Sequence, residues 1–239
     1  MSDANTKESI ASAYAVEAPM YDEKRSGSPA GALLSQHDVD LVNFMMKAPA
    51  DATLLEIGAG TGRFTMPILD RGYTVIATDI NGSLLNGLRA KVEQTGVAAR
   101  CTIQEESVFE LSFADESIDY VYSFHVLPRF LSLEDQVSAI QEIGRVLRPG
   151  GHFLFNFRNG KSPYNLLYRG HTASPTQINQ ALADAGMRVV DMRGKHLSSR
   201  RLYNAMPMFV NRTVSFVDRG LQKVLPGCAW DVFVLAQKT

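Results

Sequence analysis

Residues 54–65 read LLEIGAGTGRFT, and the fold turns on how this stretch is read. Thr53, Leu54, Leu55 and Ile57 form a short apolar run rich in β-formers, as a buried strand of a parallel sheet requires. Gly58, Gly60 and Gly62 then alternate with the small residues Ala59 and Thr61. Glycines at that spacing let the backbone turn tightly and let a ligand approach the main chain where a Cβ would clash. From Arg63 the spacing is helical, with Phe64, Ile68 and Leu69 on one face and Pro67 in the first turn or so. Strand, glycine turn and helix open a nucleotide-binding α/β unit. The dinucleotide fingerprint G-x-G-x-x-G ends on a glycine that packs helix against strand. Counted from Gly58, that position holds Arg63, so the dinucleotide pattern fails.

The glycines instead read G-x-G-x-G, with Glu56 two residues ahead of the first. This form resembles motif I of the class I S-adenosylmethionine (SAM)-dependent methyltransferases. Other stretches match the same family in order. Tyr14, Tyr21, Asp22 and Arg25 resemble an N-terminal segment that folds over SAM, with Tyr and Arg reaching its methionine part. The same residues also suit an amphipathic surface helix with two half-buried tyrosines. TVIATDI (74–80) reads as the second strand, ending on Asp79. An acid there can accept hydrogen bonds from ribose hydroxyls, and it can equally cap the helix that starts near Ser83. In the family the next residue, here Ile80, packs on adenine.

Arg100–Gln104 reads as the third strand, and EESVFELSF (105–113) resembles the turn that holds adenine. Aligned on Leu111, the family's usual Asp is replaced by Ser107, beside Val108, with Glu106 as an alternative partner. DYVYS (119–123) is the fourth strand and delivers Phe124 and His125 to its carboxyl end, where open α/β sheets bind ligands. Pro128 is expected to end regular structure. RVLRPGGHFLFNF (145–157) resembles the family's turn before the fifth strand, its glycines stopping the preceding helix.

The resemblance covers about two thirds of the chain. It implies a doubly wound, Rossmann-like seven-stranded α/β sheet of order 3-2-1-4-5-7-6 with strand seven antiparallel. Pattern alone gives only alternating strands and helices, hence a doubly wound sheet. One domain is expected across 1–239: an N-terminal lid at 10–30, a cofactor-binding core at 31–192, an acceptor cap at 193–229 and a last strand at 230–239. The sixth strand is Met187–Met192 and the seventh Trp230–Ala236. Between them, helices are expected from about Ser199 and over Asn211–Val224.

The implied cofactor is SAM, held by Tyr14, Tyr21, Arg25, Glu56, Gly58, Ala59, Gly60, Gly62, Asp79, Ile80, Glu106, Ser107, Val108 and Phe124. Methyl transfer needs positioning and water exclusion more than protein chemistry. A hydroxyl acceptor usually needs a general base, and His125 is the candidate; a histidine that merely bonds at the pocket edge is the plainer reading. Candidate acceptor contacts are Tyr164, Tyr168, Arg200, Arg201, Tyr203 and Met206. The cap's apolar side chains also suit plain helix core. No cluster of acids around an acceptor is visible, so no metal is expected.

The net charge of −1 makes no case for nucleic acid. The average hides a split. Residues 158–223 hold eleven Lys or Arg against three Asp, a net of +8, and residues 1–157 carry −9. A basic cap suits an anionic small or amphipathic acceptor methylated on O or N. The same residues suit a basic helix on a membrane surface that collects a lipid or quinone, or arginines that only solvate the cap. A SAM-binding protein without catalysis and a nicotinamide oxidoreductase are the rival classes. No apolar run reaches the eighteen or so residues that span a bilayer, and MSDANTKESIASAY lacks a secretory layout. Cys101 and Cys228 read as two reduced thiols. A cytoplasmic monomer or homodimer is expected.

Overall fold

The structure is a computed structural model that describes residues 27–130, 132–163, 170–195, 200–224 and 226–239, without the side chains of 129–130 and 200–202. The lid expected before residue 27, with Tyr14, Tyr21 and Arg25, lies outside the described residues, as do Tyr164 and Tyr168.

The strands are β1 (Thr53–Ile57), β2 (Thr74–Asp79), β3 (Cys101–Glu105), β4 (Ile118–Ser123), β5 (Leu147–Arg158), β6 (Met187–Lys195) and β7 (Asp231–Lys238). They form one sheet of order β3-β2-β1-β4-β5-β7-β6. Strands β1 to β5 run parallel, and β7 lies antiparallel between β5 and β6. The order inferred by resemblance is the observed one.

Helices cover both faces, as a parallel sheet with two apolar faces requires. On one face lie α1 (Pro29–Met45), α2 (Thr65–Asp70) and α3 (Gly82–Thr95). Leu41, Val42, Ile68, Leu85 and Leu88 pack there on Leu54, Tyr122, Leu154 and Phe233. After the single turn α4 (Leu127–Phe130), α5 (Leu133–Val146) and α6 (Pro175–Asp184) cover the other face. Ile140, Ile143, Ile178 and Leu182 meet Val121, Phe153, Phe155 and Val234 there. Each fully buried aliphatic or aromatic side chain contributes roughly 1.5–3 kcal/mol, so these two layers dominate the stability. Between β6 and β7 the cap contributes α7 (Arg200–Ala205) and α8 (Met208–Leu221).

Three expectations about boundaries are corrected. Helix α1 starts at Pro29, within the last residues expected of the lid, because Ser28 accepts the Gly31 N–H and proline suits the first helical position. Pro128 does not end regular structure but lies within α4, where a first-turn proline has no helical N–H to lose. Helix α5 stops at Val146 by passing straight into extended Leu147, ahead of the glycines. Gly150 (φ +79°) then makes the turn, and Gly151 sits where a Cβ would stand 2.9 Å from the Asp119 carbonyl oxygen.

Candidate active site

The site lies at the carboxyl ends of β1, β2 and β4. Gly58, Gly60 and Gly62 all have positive φ (+78°, +56° and +88°), the left-handed region that side chains resist. The reasons for glycine differ. A Cβ on Gly58 would stand 2.0 Å from Val126 Cγ2, and one on Gly62 would stand 2.5 Å from Leu88 Cδ1. At Gly60 the nearest atom would be the Asp79 carboxylate at 4.0 Å. Gly58 and Gly62 are therefore packed, whereas among the described residues nothing crowds Gly60, and a ligand can approach the main chain there. Gly60→Ala is expected to cost about 1–2 kcal/mol of stability through φ alone. Denaturant unfolding checks the value; a cost above that would mean the space is filled.

Asp79 joins the two loops. Its Oδ2 accepts the Gly60 N–H at 2.9 Å and its Oδ1 accepts the Asn81 N–H at 2.9 Å. The helix cap is Asn81, whose Oδ1 accepts the Ser83 and Leu84 N–H groups, so Asp79 is not spent on capping. Burial raises the Asp79 pKa against those backbone bonds, and neighbouring Glu105, its partner in the β2–β3 register, adds to the rise. The Ile80 N–H also bonds this carboxylate, whose four or so acceptor sites still leave room for a ligand hydroxyl. Ile80 beside it is half-buried.

Glu56 lies beneath the turn. It is buried, and its Oε2 accepts from Thr65 Oγ1 at 2.6 Å and from the Tyr122 hydroxyl at 2.9 Å. It ties β1 to α2 and β4 from below. Ala59 is buried in the core layer of α2 and α3. In the turn after β3, the Glu106 carboxylate accepts from the Ser112 hydroxyl and from Gln104 Nε2. The Ser107 hydroxyl accepts the Phe109 N–H at 3.4 Å, and Val108 is buried among the residues of the other layer. Phe124 is buried in an aromatic group, 4.7 Å from Phe64 and 5.8 Å from Phe233 between ring centroids.

His125 is bent into the left-handed region (φ +63°) and held from two sides. Its backbone N–H donates to Asn156 Oδ1 on β5 at 2.7 Å, and its Nε2 lies 3.2 Å from Asp38 Oδ2 on α1. Asp38 also pairs with Arg63, from the end of the glycine turn, and with Lys195, the last residue of β6. Two cations beside it outweigh its burial and hold the Asp38 carboxyl well below the usual carboxylate range. Being ionised, it can only accept, so Nε2 carries the proton and a neutral His125 presents Nδ1 as the basic nitrogen. Next to Asp38, His37 is buried and lowered to about 4, first by burial and then by Lys195.

In the cap, Tyr203 is fully buried, and its carbonyl accepts from Asn211 Nδ2 at 2.8 Å. Met206 is half-buried. Arg200 and Arg201 lie on α7 with their side chains outside the described residues. Sequence reading missed Asp38, Asn156 and the pairing of Lys195. The available signal for Asp38 was a His-Asp pair inside an apolar helix, where burial demands partners.

A family profile described as "Methyltransferase domain" matches residues 55–155. The biotin biosynthesis bifunctional protein BioHC of Cellvibrio japonicus is 29% identical over 80% of this chain and 40% of its own length. The ubiquinone/menaquinone biosynthesis C-methyltransferase UbiE of Vibrio parahaemolyticus is 32% identical over 42% of this chain and 39% of its own. The chain thus spans about two fifths of the length of these curated relatives. The solved magnesium protoporphyrin IX methyltransferase of Synechocystis PCC 6803, with bound SAH, superposes with a TM-score of 0.63 at 14% identity, covering 88% of this chain and 85% of that one. Residues 55–155 are thus similar to a methyltransferase domain, and the sheet order is that of the Rossmann-like fold shared by the class I SAM-dependent methyltransferases.

Proposed function

We propose that this protein is a SAM-dependent methyltransferase that acts on a small or amphipathic acceptor bearing an anionic group. The observation that carries the reading is the Asp79 carboxylate facing Gly60, where it takes backbone N–H groups and keeps acceptor capacity for a hydroxyl. That cradle fits an adenosine whose ribose hydroxyls bond Asp79. Ile80, Glu106, Ser107 and Val108 would border the base, and Glu56 would hold the turn from beneath. By the resemblance Tyr14, Tyr21 and Arg25 would reach the methionine part, and Phe124 would back the site from the core. The cofactor, when bound, supplies the electrophilic methyl group. The chain's own part is to orient it, exclude water and manage a proton. An in-line displacement gains most of its rate from such positioning.

His125 would take the acceptor's proton through Nδ1, with Asp38 holding the ring from behind. A base oriented by a carboxylate is the general arrangement for activating a hydroxyl. The basic cap, with Arg200, Arg201, Tyr203 and Met206, would receive the acceptor together with Tyr164 and Tyr168, and its excess of arginine suits a carboxylate or phosphate. The atom methylated is proposed to be O or N. UbiE is named a C-methyltransferase, so carbon acceptors belong in the same assay.

Calorimetry with SAM and with NAD tests the reading. SAM is expected to bind and NAD to fail. Asp79→Ala is expected to lose on the order of 1–3 kcal/mol of SAM affinity, as when one partner of a hydrogen-bonded group is truncated. Unchanged affinity in that variant would remove the assignment. Release of S-adenosylhomocysteine with candidate acceptors then separates an enzyme from a protein that only holds SAM.

A further inference from the structure

Helix α8 is folded inside out. Its buried stripe is polar: Asn211 is 1% exposed, Ser215 3% and Asp218 0%, with Gln222 continuing the line just past the helix end. Gln222 Nε2 donates to His37 Nε2 on α1 at 3.0 Å, and Asn211 caps the end of α7 by donating to the Tyr203 and Met206 carbonyls. These bonds fix which side faces inward. The outward side carries the large apolar groups, with Phe209 73% exposed, Phe216 78%, Val217 47% and Val224 50%. An ordinary surface helix has the reverse arrangement. Single exposed apolar residues need no explanation, but several on one face mark an interaction surface.

The charges on α8 and just beyond it identify the partner. Arg212, Arg219 and Lys223 are exposed and recur at seven- and four-residue spacing along one border of the apolar sector. The helix's acid, Asp218, points inward and is buried. The exposed acid facing this border from α1 is Asp40, which pairs with Arg219 at 3.0 Å. Among the described residues that leaves Arg212 and Lys223 as the net charge of the face. Two copies joined by this face about a twofold axis would set like charges against each other. A surface with apolar depth beneath a layer of anions satisfies both halves. Phenylalanine and valine beside a cationic border is the pattern of a helix lying in a lipid interface. Among the described residues no helix is long and apolar enough to cross a membrane.

We propose that the outer face of α8 docks the protein on an anionic lipid surface, with Phe209 and Phe216 inserted among the acyl chains and Arg212 and Lys223 at the headgroups. The proposal is independent of the methyl-transfer reading, because docking requires no cofactor. The test is co-sedimentation of the full chain with vesicles of phosphatidylcholine alone or with about one third phosphatidylglycerol, at low and high salt. Binding at least tenfold tighter to the anionic vesicles, weakened by salt, is expected. Phe209→Ser/Phe216→Ser is expected to abolish it without lowering the melting temperature, since both rings already stand in water. Arg212→Glu/Lys223→Glu is expected to remove the anionic preference while leaving the phenylalanines in place. Equal binding to both vesicle types, or binding unchanged in the phenylalanine variant, would overturn the proposal. So would a wild-type dimer that dissociates in that variant, which would make the face a self-interface. Binding that arises only after deletion of residues 1–26 would show that the chain's own N-terminal segment covers the face, and would overturn it equally.

Discussion

Replacing Asp38 with alanine is expected to destabilise the protein by about 3–5 kcal/mol, the cost of breaking a buried ion pair from one side. Asp38 is the sole anion placed against Arg63, Lys195 and His125 among the described pairings, and its side chain is 7% exposed. Its removal leaves the Lys195 ammonium, 3% exposed, without that compensation. An uncompensated buried charge costs more than the pair was worth, so the loss exceeds that from cutting a surface bridge. Urea unfolding measures it, and Asp38→Ala/Lys195→Met should regain part of the loss because the stranded charge is gone. If the double variant is no more stable than the single one, the cluster is not coupled in this way. The same residue has a pH signature. Its pKa is lowered in the fold, so its contribution is present above the unfolded value of 3.8 and is lost as pH falls through the lower folded value. A second readout follows from His125. Asp38→Asn keeps the shape but takes the ionised carboxylate away from the ring. If His125 acts as a base, the pH profile of turnover should move while SAM affinity stays put.

The parts of the fold that sequence made legible are those governed by local rules. The strand before Gly58, the glycine turn and the acid at the end of β2 follow from short-range sterics and periodicity, and they stand where the pattern places them. The sheet order came from resemblance, because nothing local distinguishes which strand β7 joins. Asp38 was not legible for the opposite reason. Its partners lie 25, 87 and 157 residues away, and no window of sequence contains them. Arg63 shows both sides of this. It could be read as the residue that defeats a dinucleotide pattern, yet its bond to α1 could not be read at all. The inversion of α8 was hidden for a related cause. Periodicity locates an amphipathic helix, but which stripe turns inward depends on polar partners such as His37 on another helix. Helix boundaries failed where one residue outweighed a pattern, as Ser28 and Pro29 did at the start of α1.

Glu56 is expected to make the stability fall as pH rises from about 4.5 to about 7, against the usual behaviour of a carboxylate in an ion pair. Burial pushes its pKa up from 4.5 to about 7, more than the Thr65 and Tyr122 hydroxyls pull it down, and nearby Asp79 adds to the rise. Below 4.5 the group is protonated in both the folded and unfolded chain, so it costs nothing. Between 4.5 and about 7 the unfolded chain releases the proton while the folded chain keeps it, and the unfolded state gains. Above about 7 both are ionised and the cost is constant, on the order of 3 kcal/mol. Glu56→Gln removes this term. An amide oxygen in place of Oε2 still accepts from both hydroxyls, and nothing remains to ionise. Relative to wild type, the variant should therefore gain roughly 2–3 kcal/mol of stability between about pH 5 and about pH 8. Urea titrations of the two proteins across that range measure the difference directly, and other groups that titrate cancel between them. A difference that stays flat with pH would mean that Glu56 is ionised throughout. Its place beneath the glycine turn would then be held by charge, and the variant should loosen the turn and weaken SAM binding at every pH.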